Sequence, residues 1–163
     1  MVDYSGLNTT LITQLKKKIA ELREEKERYS ELFEQSNDAI LLITLNGKIF
    51  GVNKKTEELT GYFGKELLDM HIWQLVPESE KKKAGESFKR CLKNNNERIE
   101  TKCLRKDGKI LNIEVSTKVV KLKEVSFIQS IIRDITERKR AEEKLIKQKE
   151  KYEKQIRELK KKK

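Results

Sequence analysis

Two turn signals do most to limit what this chain can become. Asn46-Gly47 lies between the apolar runs Ala39–Thr44 and Ile49–Val52, and Asp107-Gly108 lies between Ile99–Leu104 and Lys109–Val120. Each pair supplies the positive-φ residues that a tight antiparallel connection requires, so each predicts a hairpin. A further run, Val125–Asp134, is rich in apolar and β-branched residues and returns across Lys121–Glu124, which predicts a fifth strand antiparallel to its predecessor. Between the hairpins the period becomes helical. Asn53 can cap Lys54–Thr60, Gly61 can end it, Gly64–Met70 reads as another short helix, and Pro77 can open Glu78–Leu92. Two strands, several short helices and three strands predict an α+β fold, with helices on one face of an antiparallel sheet.

The two ends of the chain follow a different rule. With 36% apolar and 40% charged residues in 163, a core must be concentrated in one part of the sequence. Ile12, Leu15, Ile19, Leu22, Lys26, Tyr29 and Phe33 recur at alternating spacings of 3 and 4, with no Pro or Gly inside residues 11–34. That predicts an amphipathic helix whose apolar stripe needs a second helix to cover it, as in a coiled coil. Ala141, Leu145, Tyr152, Ile156 and Leu159 repeat the design more weakly over residues 137–159, with Gln148 interrupting. The expected organisation is a flexible start over residues 1–10, a coiled-coil helix over 11–34, a compact domain over 35–136, an output helix over 137–159 and a disordered lysine tail over 160–163. Two copies are expected to join through Ile12, Leu15, Ile19, Leu22, Tyr29 and Phe33 at one end and Leu145, Tyr152, Ile156 and Leu159 at the other.

Charge and motifs exclude several classes of function. The net charge is +11, divided as −1 over residues 1–35, +5 over 36–136 and +7 over 137–163. The basic tail admits a nucleic-acid-binding coil as an alternative, but acidic residues are interspersed in it and no aromatic platform accompanies it, so nucleic acid is not the expected partner. No phosphate-binding loop, G-x-S-x-G or H-E-x-x-H motif occurs, and a lone histidine, His71, cannot serve a dispersed metal site. Neither an enzyme nor a metal protein is expected. Cys91 and Cys103 form no C-x-x-C pair and read as structural thiols. No run of about 18 apolar residues or secretory leader is present, which predicts a cytoplasmic protein without a membrane span.

Over about Tyr29–Leu145 the sequence resembles the PAS domain family. The resemblance rests on Ser36-Asn37-Asp38-Ala39-Ile40, Gly47-Lys48-Ile49 with Val52-Asn53, Glu58-Leu59-Thr60-Gly61-Tyr62, Glu66-Leu67-Leu68, Arg105-Lys106-Asp107-Gly108 and Asp134-Ile135-Thr136 running into Glu137-Arg138-Lys139. It implies a five-stranded antiparallel sheet with short helices on one face. It also implies a sensor or interaction module, commonly dimeric and joined through coiled coils to an output such as a histidine kinase. Light-sensing flavin members carry Gly-Arg-Asn-Cys-Arg-Phe where this chain reads Asp69-Met70-His71-Ile72-Trp73, and Ile72 replaces the reactive cysteine. Their flavin-contacting amides match Cys103, Ile113 and Ile132, which cannot make those hydrogen bonds. Haem-binding members use a histidine on the long helix, and Glu78–Leu92 has none.

No cofactor is therefore expected, while a small uncharged ligand in an apolar cleft stays open; a haem or flavin redox or gas sensor is the alternative. Strand alternation gives the candidate lining as Cys103, Ile113, Val115, Ile128, Ser130 and Ile132, with Leu68 and Trp73 from the helical side. The same residues would serve equally as plain core. Signal coupling is assigned to Asp134, Ile135 and Thr136, with Thr136 as the helix N-cap and Asp134 placing an acceptor beside the helix start.

Overall fold

The computed structural model describes residues 4–161, with side chains over 10–158. The chain divides into two compact units, residues 1–36 and 37–163. The first contains one helix, α1 (Tyr4–Glu34). Residues 4–10, assigned from sequence to a flexible start, are thus helical, and residues 1–3 lie outside those described. Extending an established helix adds one hydrogen bond per residue fixed, so the weak formers before Leu11 continue it at little cost. The seam residues of α1 face solvent: Leu15 is 54% exposed and Tyr29 64%, Ile12, Ile19 and Leu22 are similarly open, and Phe33 is half-buried.

The second unit holds the strands β1 (Ala39–Thr44), β2 (Ile49–Val52), β3 (Asn96–Leu104), β4 (Ile110–Leu122) and β5 (Val125–Asp134). They form one antiparallel sheet in the order β2-β1-β5-β4-β3. Between β2 and β3 run α2 (Lys54–Thr60), α3 (Gly64–Leu68), a 3-10 turn over Ile72–Leu75 and α4 (Lys81–Asn94). The last helix, α5 (Thr136–Lys161), follows β5. It includes Lys160 and Lys161 of the run expected to be disordered, and residues 162–163 lie outside those described. Pro77 opens a 3-10 turn over Glu78–Glu80 and not α4 itself. The Glu80 N–H closes back on Pro77 O at 2.9 Å in the tighter 3-10 pattern, so α4 starts at Lys81 and not at the expected Glu78.

Both turn signals form hairpins with glycine in the left-handed region, Gly47 at φ +93° and Gly108 at φ +80°. Strand alternation sends Leu41, Ile43, Ile49, Ile113 and Ile128 to one face, where they pack against Leu59, Leu67, Leu75 and Cys91 of the helical layer. Asn53 joins that layer to the sheet. Its Oδ1 accepts from Ile40 N at 2.9 Å and from Thr56 N at 3.1 Å, and its Nδ2 donates to Asp38 O at 3.1 Å. The side chain caps α2 and extends the edge of β1 at once. The Arg105–Gly108 turn is held to the other end of α2, where Arg105 Nη1 donates to Glu58 O at 2.9 Å and Lys106 N to Thr60 O at 2.9 Å.

Asn53→Ala removes the cap and strands the half-buried Ile40 amide together, and is expected to lower unfolding free energy by about 2–4 kcal/mol. Urea denaturation of wild type and variant measures it; a loss below about 1 kcal/mol would show that water replaces the amide fully.

Candidate functional site

Two features of the second unit bear on function, a cavity on the inner face of the sheet and the anchorage of α5. The cavity is small, about 80 Å³, partly open to solvent, and lies between Leu41, Ile113, Val115 and Ile132 on the sheet side and Trp73 and Phe88 on the helical side. Most of its lining is apolar, with Ser87, Lys102 and three threonines as the polar members, and the threonine hydroxyls already have partners. Thr60 Oγ1 donates to Thr56 O at 2.7 Å, Thr101 Oγ1 to Glu80 Oε2 at 3.1 Å and Thr117 Oγ1 to Glu97 O at 3.2 Å. Burial pushes the Cys103 thiol up to about 11, so it stays neutral and weakly nucleophilic near pH 7.

Of the residues expected to line a cleft, the structure brings Trp73, Cys103, Ile113, Val115 and Ile132 together around this cavity. Ile128 and Ser130 lie farther along β5 in closed core, both fully buried. Leu68 is 39% exposed on α3 and does not reach the cavity. The reason is local: Leu67, its neighbour in a helix of one and a half turns, takes the inward position and is fully buried. Sequence reasoning passed over Phe88, Ile99, Thr101 and Thr117, which also line the cavity. Ile99 and Thr101 were recoverable, since they share the face of Cys103 by twos along β3.

At the other face, α5 is tied to two strands. Ile135 is buried, and its N–H donates to Asn112 O at 2.9 Å, while Asn112 N donates to Thr136 Oγ1 at 3.1 Å. Thr136 therefore spends its hydroxyl on β4 and is not the side-chain cap expected of it. Asp134 takes that part, with Oδ1 accepting from Thr136 N at 2.8 Å. The chain makes this exchange because β5 and α5 meet beside the unpaired Asn112 backbone, which needs both a donor and an acceptor. A second tie reaches β3: Glu100 accepts from Arg138 Nη2 at 2.5 Å and from Lys139 Nζ at 2.6 Å. These cations, Lys139 foremost, hold the Glu100 carboxyl below its ordinary value. The pair is therefore complete above that ordinary value and is lost as pH falls through the lowered one.

The cavity and the anchors alternate along the same strands. Thr101 and Ile113 point into the cavity, and their neighbours Glu100 and Asn112 hold α5. The register pairs Thr101 with Ile113 and Lys102 with Asn112, so the two cavity residues face each other while Glu100 and Asn112 lie diagonally across β3 and β4.

Two outcomes test this anchorage. Thr136→Val, which keeps the shape without the hydroxyl, is expected to cost about 1–2 kcal/mol in urea unfolding, and Thr136→Ser to recover most of it; equal losses would assign the effect to packing. By carboxyl NMR, Lys139→Met should move the Glu100 titration back up toward the ordinary glutamate value, and no movement would remove Lys139 from the clamp.

The PAS domain family profile matches residues 37–137. The chain is 30% identical over 128 residues to the sensor histidine kinase TmoS of Ectopseudomonas mendocina, covering 76% of this chain and 13% of that protein. It is 27% identical over 122 residues to the methyl sulfide methyltransferase-associated sensor of Methanosarcina acetivorans, covering 74% of this chain and 12% of the relative. Among solved structures, the PAS domain of an HTR-like protein from Haloarcula marismortui superposes with a TM-score of 0.65 at 27% identity, over 74% of this chain and 99% of that one. The chain thus spans about an eighth of the length of these curated relatives. A profile that covers most of the chain, a sheet in the order described and a helix leaving at Asp134-Ile135-Thr136 agree with one another: the chain belongs to the PAS domain family.

Proposed function

We propose that this chain is a dimeric signal-transmitting module, in which a change at the cavity alters the seating of α5 on the sheet. The observation that carries the reading is the alternation along β3 and β4. A displacement of Thr101 or Ile113 by a guest moves Glu100 and Asn112, the immediate neighbours that fix the first turn of α5. The ligand class that suits the cavity is a small uncharged apolar molecule. A haem or flavin would need a pocket of roughly 300–1,000 Å³, several times the 80 Å³ found here.

Dimerisation is supported by the two solvent-facing seams. On α5, Leu145 is 66% exposed, and Tyr152 and Ile156 are similarly open; the Leu159 side chain lies outside the described residues. Covering the exposed half of Ile12, Leu15, Ile19 and Leu22 returns roughly 1 kcal/mol per side chain. Summed over two chains this only matches the roughly 4–15 kcal/mol cost of association, so both seams are needed. Among the described residues no helix is long and apolar enough to cross a membrane, and no cluster of His, Cys, Asp or Glu could hold a metal. The relative named a sensor histidine kinase suggests the effector, a kinase or comparable output domain that receives α5, with the module itself carrying no catalytic group.

Sedimentation equilibrium tests the dimer. Wild type is expected to show twice the chain mass at micromolar concentration, and Leu15→Glu with Leu22→Glu to lower the association constant at least 100-fold. A wild-type chain that stays single when concentrated contradicts the proposal.

A further inference from the structure

The cavity is not the only hollow on the helical side. A wider groove of about 780 Å³ opens to solvent and is lined by Tyr62, Met70, Trp73, Val76 and Leu104 among others. Trp73 and Val76 line both this groove and the inner cavity. The two spaces are therefore separated by one layer of side chain, the indole of Trp73 with the Val76 side chain beside it. Trp73 is half-buried, as a wall with one wet and one dry face must be. Its ring is held from both sides, edge-on against Phe88 at 5.4 Å and stacked on His71 at 6.0 Å.

From this arrangement we infer that the groove is the vestibule of the cavity, and that Trp73 sets the size of the apolar molecule admitted from one to the other. The inference rests on the ligand-binding reading proposed above and adds to it a route and a limit. The wall stands at a 3-10 turn, Ile72–Leu75, followed by the extended residues Val76 and Pro77. The turn closes through backbone bonds such as Gln74 N to His71 O at 2.9 Å, so what holds the ring in the wall is its packing against Phe88 and His71. With the indole in place, the inner space is about half the roughly 150 Å³ that accommodates benzene. Molecules of about three heavy atoms fit and an aromatic ring does not. Without the indole, cavity and vestibule become one site whose inner part is walled by Tyr62, Phe88 and Leu104, large enough for a single ring, while Glu66, Gln74, Glu78 and Lys81 line the outer groove.

The test uses xenon and benzene with the full chain, read by amide NMR at Ile113 and Cys103 and by thermal unfolding. Wild type is expected to shift with xenon and to ignore saturating benzene. Trp73→Ala should bind benzene, with a raised unfolding temperature and shifts at both reporters. Phe88→Ala enlarges the cavity and keeps the indole, with its His71 contact, in the wall, so benzene should enter it at least 10-fold more slowly than Trp73→Ala. Val76→Ala thins the same wall with less loss of packing, and should speed xenon exchange several-fold even if Trp73→Ala does not fold. Folded Trp73→Ala that excludes benzene overturns the inference, as do equal entry rates in Trp73→Ala and Phe88→Ala or unchanged xenon exchange in Val76→Ala. If xenon fails to reach wild type while benzene enters Trp73→Ala, the wall stands and the ligand-sensing reading falls.

Discussion

Strand β4 is the constraint from which the rest of the second unit follows. Its 13 residues pair along one edge with β3, from Asn96↔Lys118 to Leu104↔Ile110, and along the other with β5, from Ile113↔Asp134 to Leu122↔Val125. A strand bonded on both edges cannot slip by one residue without turning its whole apolar set to the wrong face. Ile113 is thereby fixed inward and Asn112 outward. One register decides both what surrounds the cavity and which backbone groups are left to receive α5.

That register also explains why the exit from the sheet has its particular chemistry. At the end of β5, Asn112 still presents an N–H and a C=O that no strand satisfies. Thr136 Oγ1 and Ile135 N answer them at 3.1 and 2.9 Å. Asp134 then supplies the acceptor that the helix start requires, and Glu100 receives Arg138 and Lys139 from the first turn. The ties are short-range and individually weak. Exposed ion pairs contribute little, and a net hydrogen bond about 1 kcal/mol. A junction made of several such contacts can be re-seated by a small movement of β3 or β4, whereas a helix buried against the core could not.

Much of this was legible beforehand, and the reasons differ by element. The strands announced themselves because Asn46-Gly47 and Asp107-Gly108 admit few alternatives, and because Val125–Asp134 could only return along its predecessor. Helix ends were less legible. Residues 4–10 are helical although nothing in Tyr4–Thr10 favours it, and the boundary at Pro77 depended on the backbone of Glu80, which sequence does not display. For the cavity, alternation by twos found Cys103, Ile113, Val115 and Ile132. It could not tell how far along β5 the hollow extends, so Ile128 and Ser130 were included beside it. Leu68 failed for a rotational reason, since in a helix of five residues one step moves a side chain by about 100° and the inward place went to Leu67. The salt links of Glu100 were invisible because they join residues 38 and 39 positions apart through the sheet.

The claim at the centre of this account is mechanical linkage between the inner face of β3 and β4 and the seat of α5. Amide chemical shifts under xenon pressure test it directly, since xenon enters apolar cavities without making a polar contact. With that linkage, Thr101, Cys103 and Ile113 are expected to shift together with Ile135, Thr136 and Lys139 along one common binding curve. Shifts confined to the cavity residues, with the first turn of α5 unmoved at saturation, would contradict it.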